Sequence, residues 1–199
     1  MIENDSTIEF YNQNAKQYFK NTVNADMSGS YNRFENYVVP GGRIVDLGSG
    51  SGRDAKHFKD KGFYVEAIDA SEELCLLASQ YAGVQVRCET IQEWAPSEPF
   101  DGIWANASLL HLKLNEIETF ICKSPQFLND GGVLYFSMKH GICDGVDSEG
   151  RFFSDYSEEI VRSVVLKCKE YEMADLWYTD DSMGRDEVQW LNVILKKIS

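Results

Sequence analysis

Three glycines at alternate positions, Gly48, Gly50 and Gly52, follow a run rich in apolar residues at 43–47 and precede a helical stretch. Without a Cβ, glycine lets the backbone turn tightly and lets a ligand lie directly against the main chain. The spacing is one residue shorter than the dinucleotide-binding fingerprint, and the Gly-Lys-Ser/Thr ending of a phosphate-binding loop is missing. The pattern therefore favours a ligand other than a pyrophosphate or a triphosphate, although taken alone it is equally typical of a plain tight turn.

A carboxylate accompanies this turn at the end of the next predicted strand. Asp69 ends the segment Ala-Ile-Asp, where its oxygens can accept hydrogen bonds from both hydroxyls of a ribose. A helix-capping role is the alternative, but Ser71 is better placed to cap the following helix. The sequence therefore predicts that Asp69 binds a ribose.

Predicted strands and helices alternate from position 42 onward, as in a parallel sheet built from strand-helix-strand units. Strands are predicted at 43–47, 63–69, 84–88, 100–105 and 133–138, and helices at 54–61, 71–82, 115–128 and 157–169. The last two strands, 171–178 and 187–197, are joined by a turn too short for a crossover, so the last strand should be antiparallel. The predicted fold class is α/β: a Rossmann-like, seven-stranded, mostly parallel sheet with helices on both faces.

The segment before position 41 follows a different pattern. Apolar and aromatic residues recur at helical spacing between positions 6 and 19, outside the alternating strands and helices. A helix ahead of the first strand must pack over the sheet edge or over the mouth of a ligand pocket. We therefore predict a single domain with an N-terminal helical lid at 1–40 and a sheet core at 41–199.

Composition narrows the classes of partner. The chain has 199 residues and a formal net charge of −13 without an offsetting basic cluster, so we expect no nucleic-acid partner. No apolar stretch approaches the ~20 residues of a membrane helix, and the start is unlike a secretion signal, so we expect no membrane partner. The five cysteines form no Cys-x-x-Cys pair, which indicates reduced thiols, a cytoplasmic location and no metal site.

Several motifs together resemble those of the class I S-adenosylmethionine-dependent methyltransferases. They are Asp-x-Gly-x-Gly-x-Gly after the first strand, an acidic residue ending the second, and Asp-Gly-Ile-Trp-Ala-Asn at the fourth. Segments 52–55, 67–71, 107–111, 150–153 and 190–193 are similar, more closely, to small bacterial methyltransferases of the tellurite-resistance-like type. The resemblance implies a class I methyltransferase fold with S-adenosylmethionine as the cofactor.

On this resemblance, the glycine turn and two carboxylates hold the polar part of the cofactor. Gly48, Ser49, Gly50 and Gly52 would line its methionine and ribose portion, Asp46 would orient its amino-acid end, and Asp69 would bind the ribose hydroxyls.

The resemblance also implies a site for the adenine ring. Ala70 and Ile91 would lie on either side of the ring as apolar neighbours. Members of the family usually carry an acidic residue just before the Ile91 position, whereas this chain has Thr90 there, preceded by Glu89. Backbone groups of Thr90 and Ile91, or the Glu89 carboxylate, would then recognise the adenine.

Three polar residues follow the fourth strand, at the edge where open parallel sheets bind ligands. Asn106 is predicted to contact the cofactor, and Ser108 and His111 the methyl acceptor. With an ordinary pKa near neutrality, His111 could act as a general base, and a purely structural histidine is the alternative. Tyr11 is the second catalytic candidate, since tyrosines of related small methyltransferases close over the cofactor; plain packing is its alternative.

Two arginines are candidates for binding the acceptor. Arg151 follows Gly150 in a loop rich in Gly, Asp and Ser, and Arg185 precedes the last strand. Near a pocket mouth, such side chains could clamp a carboxylate or another anion bidentately. The alternative for both is an ion pair with an acid of the protein itself.

The function predicted from these residues is methyl transfer from S-adenosylmethionine to a small-molecule acceptor by direct in-line displacement, in a monomer or homodimer. A catalytically idle, cofactor-binding regulator is one alternative. A nicotinamide-dependent oxidoreductase is another, which the glycine spacing and the antiparallel last strand disfavour.

Overall fold

The computed structural model describes residues 2–140, 145–154, 156–182, 184–185 and 188–198. The N-terminal half contains α1 (Ile2–Thr22), α2 (Ser28–Glu35), β1 (Arg43–Leu47), α3 (Arg53–Asp60), β2 (Tyr64–Asp69), α4 (Glu72–Ala82) and β3 (Val86–Cys88). The C-terminal half contains β4 (Phe100–Ala105), α5 (Leu114–Lys123), β5 (Leu128–His140), β6 (Gly145–Val146), β7 (Phe152–Phe153), α6 (Glu158–Lys167), β8 (Tyr171–Asp180) and β9 (Gln189–Lys197). Two short 3₁₀ helices cover Leu109–His111 and Ser124–Phe127.

Seven strands form one sheet in the order β3-β2-β1-β4-β5-β9-β8. The first five strands in the chain pair in parallel, whereas β9 lies antiparallel between β5 and β8. The chain reverses direction across the sheet at β1, whose neighbours are β2 and β4. Such a switch point opens a crevice at the carboxyl ends of the strands, and this crevice is where the glycine turn lies.

Apolar side chains fill both faces of the sheet. On one face, Phe34, Phe58, Trp104 and Tyr135 form a buried aromatic cluster in which the Trp104 and Tyr135 rings stack with centroids 3.9 Å apart. On the other face, α5 and α6 cover residues of β4, β5 and β9. Because both faces are covered, β1 and the centre of β5 are almost wholly buried. This explains why most of their residues are apolar and why the sequence predicts them as strands.

Helix α2 differs from the prediction of a lid spanning 1–40. Its sequence, SGSYNRFE, has weak helical character, and only Tyr31 and Phe34 of its large residues are buried. Phe34 packs against the rings of Phe58 and Trp104, so tertiary contacts stabilise this helix. Helix α2 therefore packs into the core, while Gly29 and Ser30 at its start also line the larger of the two cavities described below.

Smaller differences concern strand ends. The predicted turn at 129–132 is part of β5, which pairs irregularly with β4 near Phe100 and Gly102. The hairpin of β6 and β7 was not predicted, because strands of two residues carry no alternating pattern. The start of the predicted last strand at 187 lies outside the described residues. Among the helices that the structure describes, none has the length and apolar character needed to span a membrane.

The prediction of reduced thiols is wrong for two of the cysteines. Cys122 and Cys168 form a disulfide, with Cα atoms 4.9 Å apart. They are distant in sequence but close in space because α5 and α6 pack side by side on one face of the sheet. Cys75 and Cys88 are free thiols, and Cys143 lies outside the described residues.

Candidate functional site

The glycine turn after β1 packs against the end of β2, against Ser108 after β4 and against Tyr18 of α1. The amides of Gly48 and the next residue both donate to the carbonyl of Ile68, at 2.9 Å. Gly48 has φ +75°, and a Cβ there would lie 2.5 Å from the Cβ of Ser108. Gly50 has φ +54°, and its Cβ would approach Tyr18 Cε1 to 3.1 Å. These positions require glycine on both conformational and steric grounds.

Two residues predicted to contact the cofactor have supporting positions instead. Gly52 caps α3 and packs against α4, where an added Cβ would lie 2.9 Å from the Ala78 carbonyl oxygen. Asp46 is 1% exposed, and its carboxylate accepts the Ala55 amide in the first turn of α3 at 3.1 Å. Neither residue lines the two cavities described below.

Asp69 stabilises the same turn from the end of β2. One carboxylate oxygen accepts the Gly50 amide at 2.8 Å, and the other accepts the Ser71 amide at 2.9 Å. Burial raises the pKa of Asp69, and the backbone amides of Ser71, Gly50 and Ala70 partly oppose that increase. A carboxylate has about four acceptor sites, so the three amides leave capacity for a ligand hydroxyl.

Two cavities meet at the glycine turn. The narrow cavity, about 110 Å³, lies beside the ends of β2 and β3, and the larger cavity, about 460 Å³, lies over the ends of β1, β4, β5 and β9. The residues that line both cavities are Tyr11, Tyr18, Gly48, Gly50, Ala107 and His111. These residues form the wall between the cavities, termed the junction below.

Most of the predicted site residues line one cavity or both. The narrow cavity has Asp69, Ala70, Thr90, Ile91 and Ser108 on its walls, and the larger one has Ser49, Asn106, Arg151 and Arg185. The structure therefore gathers residues that are spread widely along the chain.

The narrow cavity has a carboxylate next to Thr90. The hydroxyl of Thr90 donates to Glu93 at 2.7 Å, so it is already engaged within a turn. Glu89 also lines this cavity, as do the apolar side chains of Ala70 and Ile91. Of the two side chains, Glu89 is thus the better placed to accept from an amino group.

Tyr11 and His111 form a hydrogen-bonded pair at the junction. The Tyr11 hydroxyl lies 2.9 Å from His111 Nε2, and His111 Nδ1 lies 2.7 Å from the Phe152 carbonyl oxygen. Because a carbonyl only accepts, Nδ1 carries the proton and Nε2 accepts from Tyr11. Burial lowers the pKa of His111 to about 4 and raises that of Tyr11, so both groups are neutral at pH 7.

Polar groups with fixed orientation lie at the base of the larger cavity. Asn106 Oδ1 accepts from the Ser137 hydroxyl at 2.9 Å. This bond identifies the amide oxygen, so the amide nitrogen remains a donor for a ligand. The Tyr135 hydroxyl, 3.4 Å from Asn106 Oδ1, donates its one proton to Asn192 Oδ1 at 2.7 Å, which extends this network into β9.

Two buried hydroxyls beside the turn lack a partner. Ser49 is 7% exposed and Ser108 is 9% exposed, and neither hydroxyl has a hydrogen bond in the described part of the chain. Leaving a buried hydroxyl unsatisfied costs about 1–3 kcal/mol. Since Ser49 lines the larger cavity and Ser108 the narrow one, both are suited to bond a ligand.

The two predicted anion-binding arginines are both paired within the protein. Arg185 binds Asp181 through Nε at 2.8 Å and Nη2 at 2.6 Å. Arg151 Nη2 binds Asp147 at 2.7 Å and Glu149 at 2.6 Å. Both arginines therefore make the ion pairs of the alternative.

Sequence reasoning missed a buried ion pair on the wall of the larger cavity. Asp54 accepts from Arg53 Nε at 2.6 Å, from Trp104 Nε1 at 2.9 Å and from the Tyr31 hydroxyl. Burial raises the pKa of Asp54, but Arg53 and these hydrogen bonds outweigh it and lower the pKa overall. The Gly-Arg-Asp-Ala segment was the available signal, but without α2 nothing indicated its partners.

Sequence reasoning also missed Lys139, at the end of β5. Its ammonium nitrogen lies 4.0 Å from the centroid of the Phe153 ring, and its side chain lines the larger cavity. Burial, followed by the charges of Arg185 and Arg151, lowers the pKa of Lys139 to about 8. No sequence motif marks this residue.

Helix α1 covers both cavities and is tied down along its length. Thr7 Oγ1 accepts the Phe152 amide at 3.0 Å, and Asn12 Oδ1 accepts the Ser71 hydroxyl at 2.7 Å. On the same helix, the Tyr11 and Tyr18 rings pack edge to face, with their centroids 5.1 Å apart. The helix therefore forms a wall of both cavities, which remain partly open to solvent.

Comparison with known proteins agrees with this geometry. Residues 44–132 match a family model described as a methyltransferase domain. An uncharacterized methyltransferase of Staphylococcus carnosus is 30% identical over 93 residues, which are 47% of this chain and 45% of the relative. The match thus spans a little under half of that relative's length.

Two solved structures illustrate the likeness in fold. The 1,6-didemethyltoxoflavin-N1-methyltransferase of Burkholderia thailandensis, with bound 1,6-didemethyltoxoflavin and S-adenosylhomocysteine, has TM-score 0.78 and 18% identity and covers 100% of this chain and 88% of its own. The magnesium protoporphyrin IX methyltransferase of Synechocystis PCC 6803, with bound S-adenosylmethionine, has TM-score 0.73 and 13% identity, with coverages of 99% and 98%. The predicted Rossmann-like methyltransferase fold is confirmed.

Proposed function

We propose that this protein is an S-adenosylmethionine-dependent methyltransferase acting on a small molecule. The observation that carries the proposal is the meeting of two cavities at the glycine turn. One has apolar walls and a carboxylate at Asp69, as a nucleoside requires, and the other is polar and borders the ends of four strands.

The residues present fit the cofactor. The unpartnered hydroxyls of Ser49 and Ser108 offer hydrogen bonds on the two sides of the turn. Asp69 would bind the ribose hydroxyls, with the adenine between Ala70 and Ile91. The guanidinium of Arg53, on the wall of the larger cavity near Ser49, suits the carboxylate of the methionine portion.

The cofactor, when bound, supplies a methyl group already activated by a sulfonium. The chain then has to orient an acceptor in line and exclude water. The junction residues Tyr11, Tyr18 and His111 border both cavities, and α1 covers part of them. Because the Tyr11 proton points to His111, the phenol oxygen only accepts from other donors, and Arg151 is one of them. Its second lone pair is left for a donor group of the methyl acceptor.

His111 acts mainly through Tyr11 in this proposal. A histidine with a pKa of about 4 is a weak base at pH 7. It would fix the direction of the Tyr11 hydroxyl and receive a proton only from an acceptor made strongly acidic by methylation. We therefore assign Tyr11 to acceptor contact and His111 to its positioning.

The size of the larger cavity supports a small acceptor. A volume of about 460 Å³ beside α1 is typical of sites that bind small molecules. The closer resemblance to tellurite-resistance-like methyltransferases supports the same size class without selecting an acceptor atom.

Calorimetry tests the cofactor assignment. We expect S-adenosylmethionine and S-adenosylhomocysteine to bind and NADH not to bind. The Asp69→Asn variant should weaken both affinities about 10–100-fold, because two charge-assisted hydrogen bonds are lost. Asp130→Asn, at an exposed position, is the matched control and should leave both affinities unchanged. Tight NADH binding, or equal binding by the Asp69 variant, would refute the proposal.

Release of S-adenosylhomocysteine tests transfer itself. Protein loaded with S-adenosylmethionine is incubated with a panel of small carboxylic acids, amines, thiols and phenols. Methyl transfer predicts acceptor-dependent release with at least one class. Cofactor binding without release across the panel would favour the idle regulator.

A further inference from the structure

Three cations gather on one wall of the larger cavity, in a protein whose net charge is −13. They are Lys139, Arg151 and Arg185, and all three line this cavity. They come from β5, from the β6–β7 hairpin and from the segment before β9, so only the folded chain brings them together. Their mutual repulsion is one cause of the lowered pKa of Lys139.

The three cations differ in how they are neutralised. Arg151 is held by Asp147 and Glu149, and Arg185 by Asp181. Within the described residues, no carboxylate lies within the 4.0 Å of an ion pair from the Lys139 ammonium. Lys139 is thus the cation of this wall whose charge is left for a ligand.

Phe153 fixes the ammonium next to the junction. The Phe153 ring centroid is 4.0 Å from Lys139 Nζ, 5.3 Å from the Arg151 guanidinium carbon and 4.9 Å from the His111 ring centroid. A single ring therefore packs against two cations and the histidine of the Tyr11–His111 pair. An anion contacting Lys139 would lie beside the place where the two cavities meet.

The half-buried Lys139 ammonium loses hydration free energy when no ligand is bound. Lys139 is half-buried against Phe153, and Trp190 lies on its other side with its ring centroid 6.0 Å away. A cation–π contact offsets part of the lost hydration, but a contacting anion offsets far more. At pH 7 most of the Lys139 side chain is still protonated, since its pKa is about 8.

We propose that the methyl acceptor is a small organic anion whose negative group binds the Lys139 ammonium. This inference rests on the proposed function and adds the chemical class of the acceptor. Arg151 and Arg185, although they are ion-paired, add to the electrostatic attraction for an anion and disfavour a cationic ligand in this cavity. The rings of Tyr11, Phe153 and Trp190 suit an unsaturated or aromatic body.

The test compares anions with neutral probes of the same shape. Acetate and acetamide, benzoate and benzamide, and inorganic phosphate are titrated into protein with and without S-adenosylhomocysteine. Binding is followed by NMR through the Cε resonances of ¹³C-labelled lysines. We expect each acid to bind at least about 10-fold more tightly than its amide and to shift the Lys139 resonance. Stronger binding of phosphate than of acetate would identify a phosphoryl acceptor, and the reverse a carboxylate.

Variants distinguish the effect of the Lys139 charge on anion binding from the effect of the protein's overall charge. Lys139→Met and Lys139→Gln should abolish the preference for acids, whereas Lys139→Arg should retain it, and all should bind S-adenosylhomocysteine as wild type does. Lys169→Met, at an exposed lysine, is the control. Equal binding of acids and amides by wild-type protein would overturn this proposal even if the cofactor binds. Failure to bind the cofactor would overturn the proposed function, while the titrations without it still decide the role of Lys139.

Discussion

The two cavities are built in different ways. Half of the residues that line the narrow cavity come from short segments: the glycine turn and the ends of β2 and β3 at 69–71 and 89–92. The other half come from α1, from α4 and from 107–112. The larger cavity adds Arg53, Lys139 and Arg185, which meet only when the sheet is assembled. Under the proposed function, the nucleoside side therefore depends more on local sequence than the acceptor side does. The following predictions test how separable the two sides are.

The largest effect is expected at the wall shared by both cavities. In Gly48→Ala, the Cβ would lie 2.5 Å from Ser108 in a backbone with φ +75°. We expect a loss of about 3 kcal/mol in unfolding free energy and at least about 100-fold weaker S-adenosylmethionine binding. Urea unfolding and calorimetry measure the two effects.

Gly150→Ala provides the matched control for that substitution. Gly150 also has a positive φ, +84°, but an added Cβ would meet no heavy atom within 4 Å in the described part of the molecule. We expect about 1 kcal/mol of destabilisation from backbone conformation alone, with little change in cofactor affinity. If the two variants behave alike, steric contact at the turn is not what shapes the site.

A smaller effect, confined to the acceptor side, is expected for Tyr11→Phe. The substitution removes the hydroxyl that donates to His111 Nε2 and faces the acceptor. We expect kcat to fall about 100-fold while S-adenosylmethionine affinity stays within about 3-fold. Tyr64→Phe, at a 73% exposed position, should change neither. A matching loss of cofactor affinity in Tyr11→Phe would show that the two sides are not separable.

The pH dependence of stability reports on the same junction. Between the ordinary histidine pKa of 6.5 and about 4, the unfolded chain binds a proton at His111 that the folded protein does not. Stability therefore falls as the pH is lowered through this window, by about 3 kcal/mol from this residue. His111→Gln should flatten that part of the curve, and His140→Gln, at an exposed position, should leave it unchanged. Urea midpoints from pH 7 to 4.5 check the difference.

The smallest effect is expected at the adenine end of the narrow cavity. Glu89→Gln retains size but replaces a carboxylate oxygen by an amide donor. We expect S-adenosylmethionine to bind about 3–5-fold more weakly, because one hydrogen bond to the adenine amino group is weakened. Glu159→Gln, on the exposed side of α6, is the control. An unchanged affinity in Glu89→Gln would leave adenine recognition to the backbone of Thr90 and Ile91.

The sequence predicts the sheet and the turn because burial and backbone geometry leave local traces. Strands covered on both faces are apolar throughout, and the left-handed turn after β1 requires glycine at Gly48 and Gly50. Helix α2 leaves no such trace, since it is held by Tyr31 and Phe34 packing beneath the sheet. Lys139 leaves no trace in the sequence either. Its role depends on having no carboxylate within ion-pair distance among the described residues, and only the folded structure shows this.

The two arginines show an intermediate case. Asp147 and Arg151, and likewise Asp181 and Arg185, stand four residues apart, so their pairing was visible as a possibility. The loop conformations that bring each pair together depend on the backbone around β6 and before β9. Similarly, no spacing rule foretells that Cys122 and Cys168 meet, because that contact follows from how α5 and α6 pack.

The hydrogen bonds that hold α1 in place also affect how fast a ligand can leave the site. The bonds of Thr7 with Phe152 and of Asn12 with Ser71 attach the helix to both sides of the crevice. A ligand that leaves past α1 would have to break one or both of these bonds. Under the proposed function, the attachment of α1 would therefore slow product release.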